Sequence, residues 1–476
     1  MPHAQRVFLR DNRTVPAASG SLLLAATLLA LALALGAPRS ASAAAADRKG
    51  SPSAQEPKAV RVLDIAPVWS GHPVGFALLT SGKRQLIAFY DADRRMTVGS
   101  RGLEESRWQL VRLPSVVGWD SHNYLALAVD HAGQIHLSGN MHCQPLVYFR
   151  TDRPYDINSF RQIPAMLGRN EQKCTYPRFL QGKEGELIFT YRDGRSGNGD
   201  QYFNVWDPKT MAWGRLIESP LFAGGGKMNA YFTGPEQDKT GTFHICWVWR
   251  NTPDCATNHD LCYARSKDLV HWQRSDGRPL TLPITLATAE VVDPVPPGGG
   301  AVNGNTTIGF DLENRPVISY HKFDAQGKTQ LYNARREAAG WKVYQTSDWD
   351  YRWEFHGGGT IHFEIGFGPV RVEADGTLAQ TYHHVKYGSG TWKLDPQTLK
   401  PIGRLSGRHP LPKAISRVES TWPEMSVRTA GDSGASGQPG VRYLLRWETL
   451  PPNRDKPRPA PFPPPSTLRL YEIHDE

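Results

Sequence analysis

The chain has 476 residues, 39% of them hydrophobic and 10% aromatic, so a substantial core can form. Its 45 glycines, 37 prolines, 14 tryptophans and 17 tyrosines favour turns and short strands over long helices. The formal net charge of +9 comes without any Lys/Arg-rich run, which argues against a nucleic acid partner and leaves plain solubility or an acidic polysaccharide or oligosaccharide as its reason.

At the N-terminus, Arg6, Arg10 and Arg13 precede an apolar run from Leu22 to Gly36, followed by the small residues of "SASAAAA". This is the pattern of a signal peptide over 1–43, with cleavage near Ala43 to Ala46 and an exported product, periplasmic or secreted. The run falls short of the roughly 20 residues of a membrane span, so a retained anchor is the lesser alternative and no membrane contact is expected after cleavage. Residues 44–60 read as a flexible mature N-terminus, and 61–476 as a single domain, expected to be a monomer.

From about Val60 one pattern returns: a turn with Gly, Asn or Asp, then an alternating strand ending in aromatic or basic residues. The copies are "GKRQLIAFYD", "AGQIHLSGNMH", "EGELIFTYRDG", "TGTFHICWVWR", "ENRPVISYHKF" and "DGTLAQTYHHV", with "GVRYLLRWET" a weaker seventh. Repeats of about 50 to 75 residues, each with several short strands, predict an all-β, seven-bladed β-propeller, because one blade cannot bury both faces alone. A two-sheet sandwich is the competing architecture. "SKDLVHW" (Ser266 to Trp272) looks like a degenerate Asp-box, a structural turn, and the Pro-rich stretch near 450–466 leads into a last strand, "TLRLYEI".

Five cysteines, Cys143, Cys174, Cys246, Cys255 and Cys262, leave at least one unpaired. Cys143–Cys174 and Cys255–Cys262 are candidate disulfides, and the connectivity stays open. His244 and Cys246 alternate on one strand, with Cys262 nearby and His321 on the next repeat. Two histidines and two cysteines suit a structural zinc; the alternative is a buried free thiol. No cofactor is required for chemistry.

The repeat strands end in polar groups: Asn140 and His142, Tyr191 and Arg192, Arg250, His321, His383 and His384. The stretch "SHNYLALAVDHAGQIHLSGNMHC" sets His122 and His142 at the two ends of a strand pair; "CTYPRF" and "FTYRDGRSGNGDQYFNVWD" follow, with Arg192 16 positions after Tyr176. This motif set resembles the BNR-4 repeat family, which includes propeller-type ulvan lyases and rhamnose–glucuronate lyases. The resemblance implies His122, His142, Tyr176 and Arg192 as catalytic residues. It also implies β-elimination on a uronic-acid glycan, and it lends the zinc some support, since some such lyases carry a structural one.

The chemistry asks for these residue types in its own right. Removing the C5 proton beside a carboxylate creates a dianionic enolate, which a bound cation stabilises. Arginine stays charged and grips a carboxylate with two donors, and Arg192 is the expected neutraliser. Histidine, with a pKa near 6.5, and tyrosine, near 10, can serve as base and acid; which histidine pairs with Tyr176 stays open. His131 and His136 receive no role. Asn123, Asn140, Tyr231, Arg250, Tyr320, His321 and Arg352 are candidate substrate contacts, while Trp247 and Trp249 read as core. The competing functions are a sialidase-like glycoside hydrolase, whose Arg-Ile-Pro segment and regular Asp-boxes are missing, and a non-catalytic carbohydrate-binding propeller.

Overall fold

The computed structural model describes residues 58–405, 411–435 and 437–474. The expected signal peptide lies outside the described residues, as does most of the expected flexible N-terminus. No helix among the described residues is long and apolar enough to cross a membrane.

The fold is all-β. Among the described residues the strands form seven antiparallel sheets, which we number I to VII. Sheets I to VI follow chain order, over 77–116, 125–162, 174–215, 229–293, 307–345 and 365–405. Sheet VII joins the two ends of the described chain: Lys58–Val68 pairs with Ser466–His474, which also pairs with Val441–Thr449, which in turn pairs with Ser426–Gly431. The first strand therefore begins inside the segment read as flexible. Ala59 has a partner in Ile473, so backbone pairing draws this end of the segment into the sheet.

Each repeat copy from the sequence lies on the second strand of a sheet, as in Arg84–Tyr90, Ile135–Gly139, Leu187–Arg195 and Phe243–Arg250. The first strands of successive sheets lie beside one another, from Ser426–Gly431 through Ala77–Ser81 to Leu125–Val129 and Cys174–Gln181. The first strands, not the repeat strands, are thus the ones that adjoin.

Strand alternation distributes the core. On Phe243–Arg250, Ile245, Trp247 and Trp249 pack with Ile188 and Phe203 of sheet III, while Cys246 and Val248 pack with Ile308 and Ile318 of sheet V. Sheet IV thereby shares one face with each neighbour. At an order of 2 kcal/mol per fully buried large apolar side chain, this shared packing is what holds the sheets together. "SKDLVHW" is a turn: Ser266 Oγ accepts from the Asp268 and Leu269 amides, and Asp268 accepts from Val270 and His271.

All five cysteines are free thiols. Cys143 and Cys174 do not pair: Cys174 turns into the core between sheets II and III. Its neighbour Thr175 faces the opposite way and meets Cys143 Sγ at 3.7 Å. Cys255 and Cys262 sit in different cores.

Candidate active site

The turn before sheet II begins the site. Ser121–Asn123 forms a single 3-10 turn capped by Asp120, whose Oδ1 accepts from the His122 amide at 2.8 Å. The same oxygen meets His122 Nδ1 at 2.6 Å, and Oδ2 meets His142 Nδ1 at 2.5 Å. One carboxylate therefore holds both imidazoles, which stack with centroids 4.0 Å apart. A carboxylate only accepts, so each Nδ1 carries a proton. A neutral His122 then has its lone pair on Nε2.

Tyr176 lies beside His122, with ring centroids 5.5 Å apart. A register shift between Thr175 and Arg178 interrupts the pairing of Cys174–Gln181 with Leu187–Arg195, and Tyr176 has φ 61°. Asn140 and Cys143 are also left-handed, at 56° and 55°. Such backbone is uncommon outside glycine and costs on the order of 1 kcal/mol or more per residue.

Arg192 projects from Leu187–Arg195 and is 1% exposed. Its Nη2 reaches Thr175 Oγ1 at 3.0 Å and Cys143 Sγ at 3.4 Å, and Nη1 reaches Tyr231 Oη at 3.3 Å. Its guanidinium carbon lies 5.0 Å from the Tyr176 ring centre. Nε has no partner, and no carboxylate pairs with this cation among the described residues. Buried charges are ordinarily paired.

Tyr231 closes the far side. Its hydroxyl meets Ser196 Oγ at 2.8 Å, its ring lies 5.9 Å from Tyr176, and Arg250 sits 5.6 Å from its centre. Burial pushes the Tyr231 phenol up, but Arg192 and Arg250 more than offset this and hold it below its ordinary value. Burial dominates at Tyr176 and raises it well above the usual range. Burial disfavours the His142 cation, yet the Asp120 carboxylate and the Cys143 sulfur raise it to about 9. Burial pushes the Cys143 thiol up, but His142 and Arg192 bring it down to about 7.

His122, His142, Tyr176, Arg192, Tyr231 and Arg250 thus meet in one region. Asn123, next to His122, is buried, and its backbone carbonyl accepts from Tyr90 Oη at 2.6 Å. The remaining expected substrate contacts are engaged elsewhere. Asn140 donates to Ser115 Oγ at 2.7 Å. Tyr320 is core, its hydroxyl on Asp293. His321 is buried against Trp353, Phe355 and Phe367, and Arg352 lies over Phe323 and donates to Gly327 O.

The zinc quartet is not gathered. Cys246 faces sheet V and Cys262 faces sheet III, as opposite sides of sheet IV must. His244 Nδ1 is engaged with Tyr263 Oη at 2.6 Å. Among the described residues, the group close enough to surround an ion is Asp120, His122 and His142. Its facing atoms are the donors and acceptors of the two hydrogen bonds above, so we read it as a proton-handling unit. Sequence reasoning missed Asp120, Cys143 and Thr175; "WDSHN", with an acid two positions before a histidine, was the available signal for the first.

Comparison with known proteins bears on the family and the fold. A family model described as "BNR repeat-containing family member" matches residues 84–349. An ulvan lyase, short isoform, from Alteromonas sp. (strain LOR) is 28% identical over 128 residues. That alignment spans only 24% of the relative's length and 24% of this chain. The crystal structure of polysaccharide lyase Uly1 superposes with a TM-score of 0.58 at 14% identity, covering 88% of this chain and 99% of that one. A PL25 ulvan lyase bound to -[GlcA(1-4)Rha3S]- gives 0.55 at 13%, covering 87% and 96%. At such identities these structures share the fold.

Proposed function

Since the chain belongs to the BNR repeat-containing family, we propose that it is an exported polysaccharide lyase that cleaves a rhamnose–glucuronate type glycan by β-elimination. The seven sheets are read as blades of a closed propeller, with the site at one mouth. The observation that carries the reading is Arg192: a buried guanidinium without a carboxylate, in the same region as two histidines and two tyrosines.

In this reading the uronate carboxylate completes Arg192's shell, which stabilises the charge that builds up as C5 is deprotonated. His122 takes the proton on Nε2, because Asp120 fixes the tautomer that leaves this lone pair free. His142, cationic at neutral pH, serves as a donor rather than a base. Tyr176, kept protonated by burial, delivers its proton to O4 as the C4–O bond breaks, leaving a 4,5-unsaturated uronate. Tyr231 and Arg250 orient the sugar acid. No step needs a metal; a structural zinc on His244, Cys246, Cys262 and His321 has no support in the geometry.

Support for the substrate class comes from the ulvan lyase relative and from the neighbour bound to a glucuronate–rhamnose fragment. The test is incubation of the mature protein with rhamnose- and glucuronate-containing glycans, following ultraviolet absorbance and reducing ends. A lyase yields the unsaturated chromophore. Reducing ends without the chromophore would make it a hydrolase, and binding without either would make it a lectin-like propeller.

A further inference from the structure

The connection between the last two strands, residues 450–465, lies against the site. Arg454 donates to His356 O at 2.6 Å and Gly358 O at 3.2 Å, in the segment before sheet VI. Asp455 accepts from Thr360 N at 2.6 Å and Thr360 Oγ1 at 2.9 Å in that same segment. It also accepts from Ser121 N at 3.1 Å, one residue before His122, and lies 3.3 Å from His72 Nε2. The Asp455 side chain is 8% exposed, and its Oδ2 lies 3.7 Å from His122 Nδ1.

A count of charges gives this contact a purpose. The ionisable groups facing His122 are Asp120, Asp455, His142 and Tyr176, with His72 behind Asp455. Asp120 already balances His142. When His122 accepts a proton, a second imidazolium forms 4.0 Å from the first, and like charges at that distance oppose each other. Asp455 is the second acid in reach, and no lysine or arginine pairs with it among the described residues.

We propose that Asp455 is a positioning residue that supplies the negative charge His122 needs to take up a proton beside its stacked neighbour. The proposal rests on the elimination reading only for its purpose; the coupling itself exists in the free protein. The last connection of the fold is then part of the proton-transfer machinery.

The test uses the full mature chain and three variants. Asp455→Asn removes the charge with little change of shape, Asp455→Ser is a second charge-removing form should the first fail to fold, and Thr360→Val weakens the tie while keeping the charge. Titration of the His122 ring by NMR, assigned with His122→Gln, reads the coupling without substrate. Loss of the anion disfavours the imidazolium, so the midpoint should fall by about one unit in Asp455→Asn or Asp455→Ser and stay in place in Thr360→Val. In kinetics, kcat should fall at least about tenfold with KM changed less, and the acidic limb of kcat/KM should move to lower pH with the midpoint. An unmoved midpoint overturns the proposal, even if activity falls, because the role would then be structural. Absence of unsaturated product from the wild-type protein would sink the elimination reading, and the titration would still decide on Asp455.

Discussion

A guanidinium taken out of water needs an anion, and Arg192 has two hydroxyl oxygens and the Cys143 sulfur around it but no carboxylate among the described residues. Arg192→Ala should abolish elimination, a loss of roughly 10²-fold or more, with circular dichroism and melting temperature close to wild type; substantial residual rate would remove the neutraliser assignment. Cys143 offers a second check. It is half-buried, and His142 and Arg192 favour its thiolate despite burial, whereas burial pushes the other four thiols up. Iodoacetamide should label Cys143 first in the native protein, seen by peptide mass spectrometry; preferential labelling of any other cysteine contradicts this. The paired shifts also fix a pH dependence. His142, raised to about 9 from 6.5, contributes stability present below 6.5 and lost as the pH climbs through 9. Cys143, lowered to about 7 from 9.0, contributes stability present above 9.0 and lost as the pH falls through 7. The two cancel between about 7 and 9, so the melting temperature should be flat there in the wild type. In Cys143→Ser, where Asp120 still raises His142, it should decline with rising pH; a flat profile in that variant would contradict the coupling. Residue types told of His122, His142, Tyr176 and Arg192 in the sequence, but Asp455 has no local signal, because its partners come from positions 72, 121 and 360.

Local backbone irregularities place these side chains. In the hairpin after Arg192, Gly194 pairs with Gly199 just before the turn and has φ 123°, and a Cβ there would lie 2.5 Å from Asn198 O. Opposite, Gly199 leaves space for Arg192, whose Cδ would lie 3.0 Å from a Cβ at that position. Gly199→Ala should therefore lower kcat/KM by shifting the guanidinium, while the protein stays folded; unchanged kinetics would show that the arginine has slack. Strand existence was legible because period-two alternation survives in a single sequence, as in "TFHICWVWR". The face each residue takes in space was only half legible. Alternation correctly puts His244 and Cys246 on one side, but the pairing register that sends Cys262 to the other side, opposite Trp247, is a non-local property. The bulge at Tyr176 was invisible for the same reason.

Over the whole molecule, the two ends of the described chain lock in one sheet, where Ser466–His474 lies between Lys58–Val68 and Val441–Thr449. Leu468 and Leu470 from that strand are buried in the core that sheet VII shares with sheets I and II. The repeat count made seven units readable in the sequence. The pairing of Lys58–Val68 into the last sheet was not, since that strand lacks the turn-and-strand signature of the copies. In the proposed function, this scaffold buries Arg192 to hold one sugar carboxylate. The direct measurement is calorimetric binding of a glucuronate oligosaccharide and its carboxyl-reduced counterpart, using catalytically silent His122→Gln with and without Arg192→Ala. The account predicts that reduction weakens binding by roughly 10- to 100-fold when Arg192 is present, as a charge-assisted bond of about 1.5–3 kcal/mol would, and that the difference vanishes in Arg192→Ala. An equal preference for the carboxylate in both proteins would contradict it.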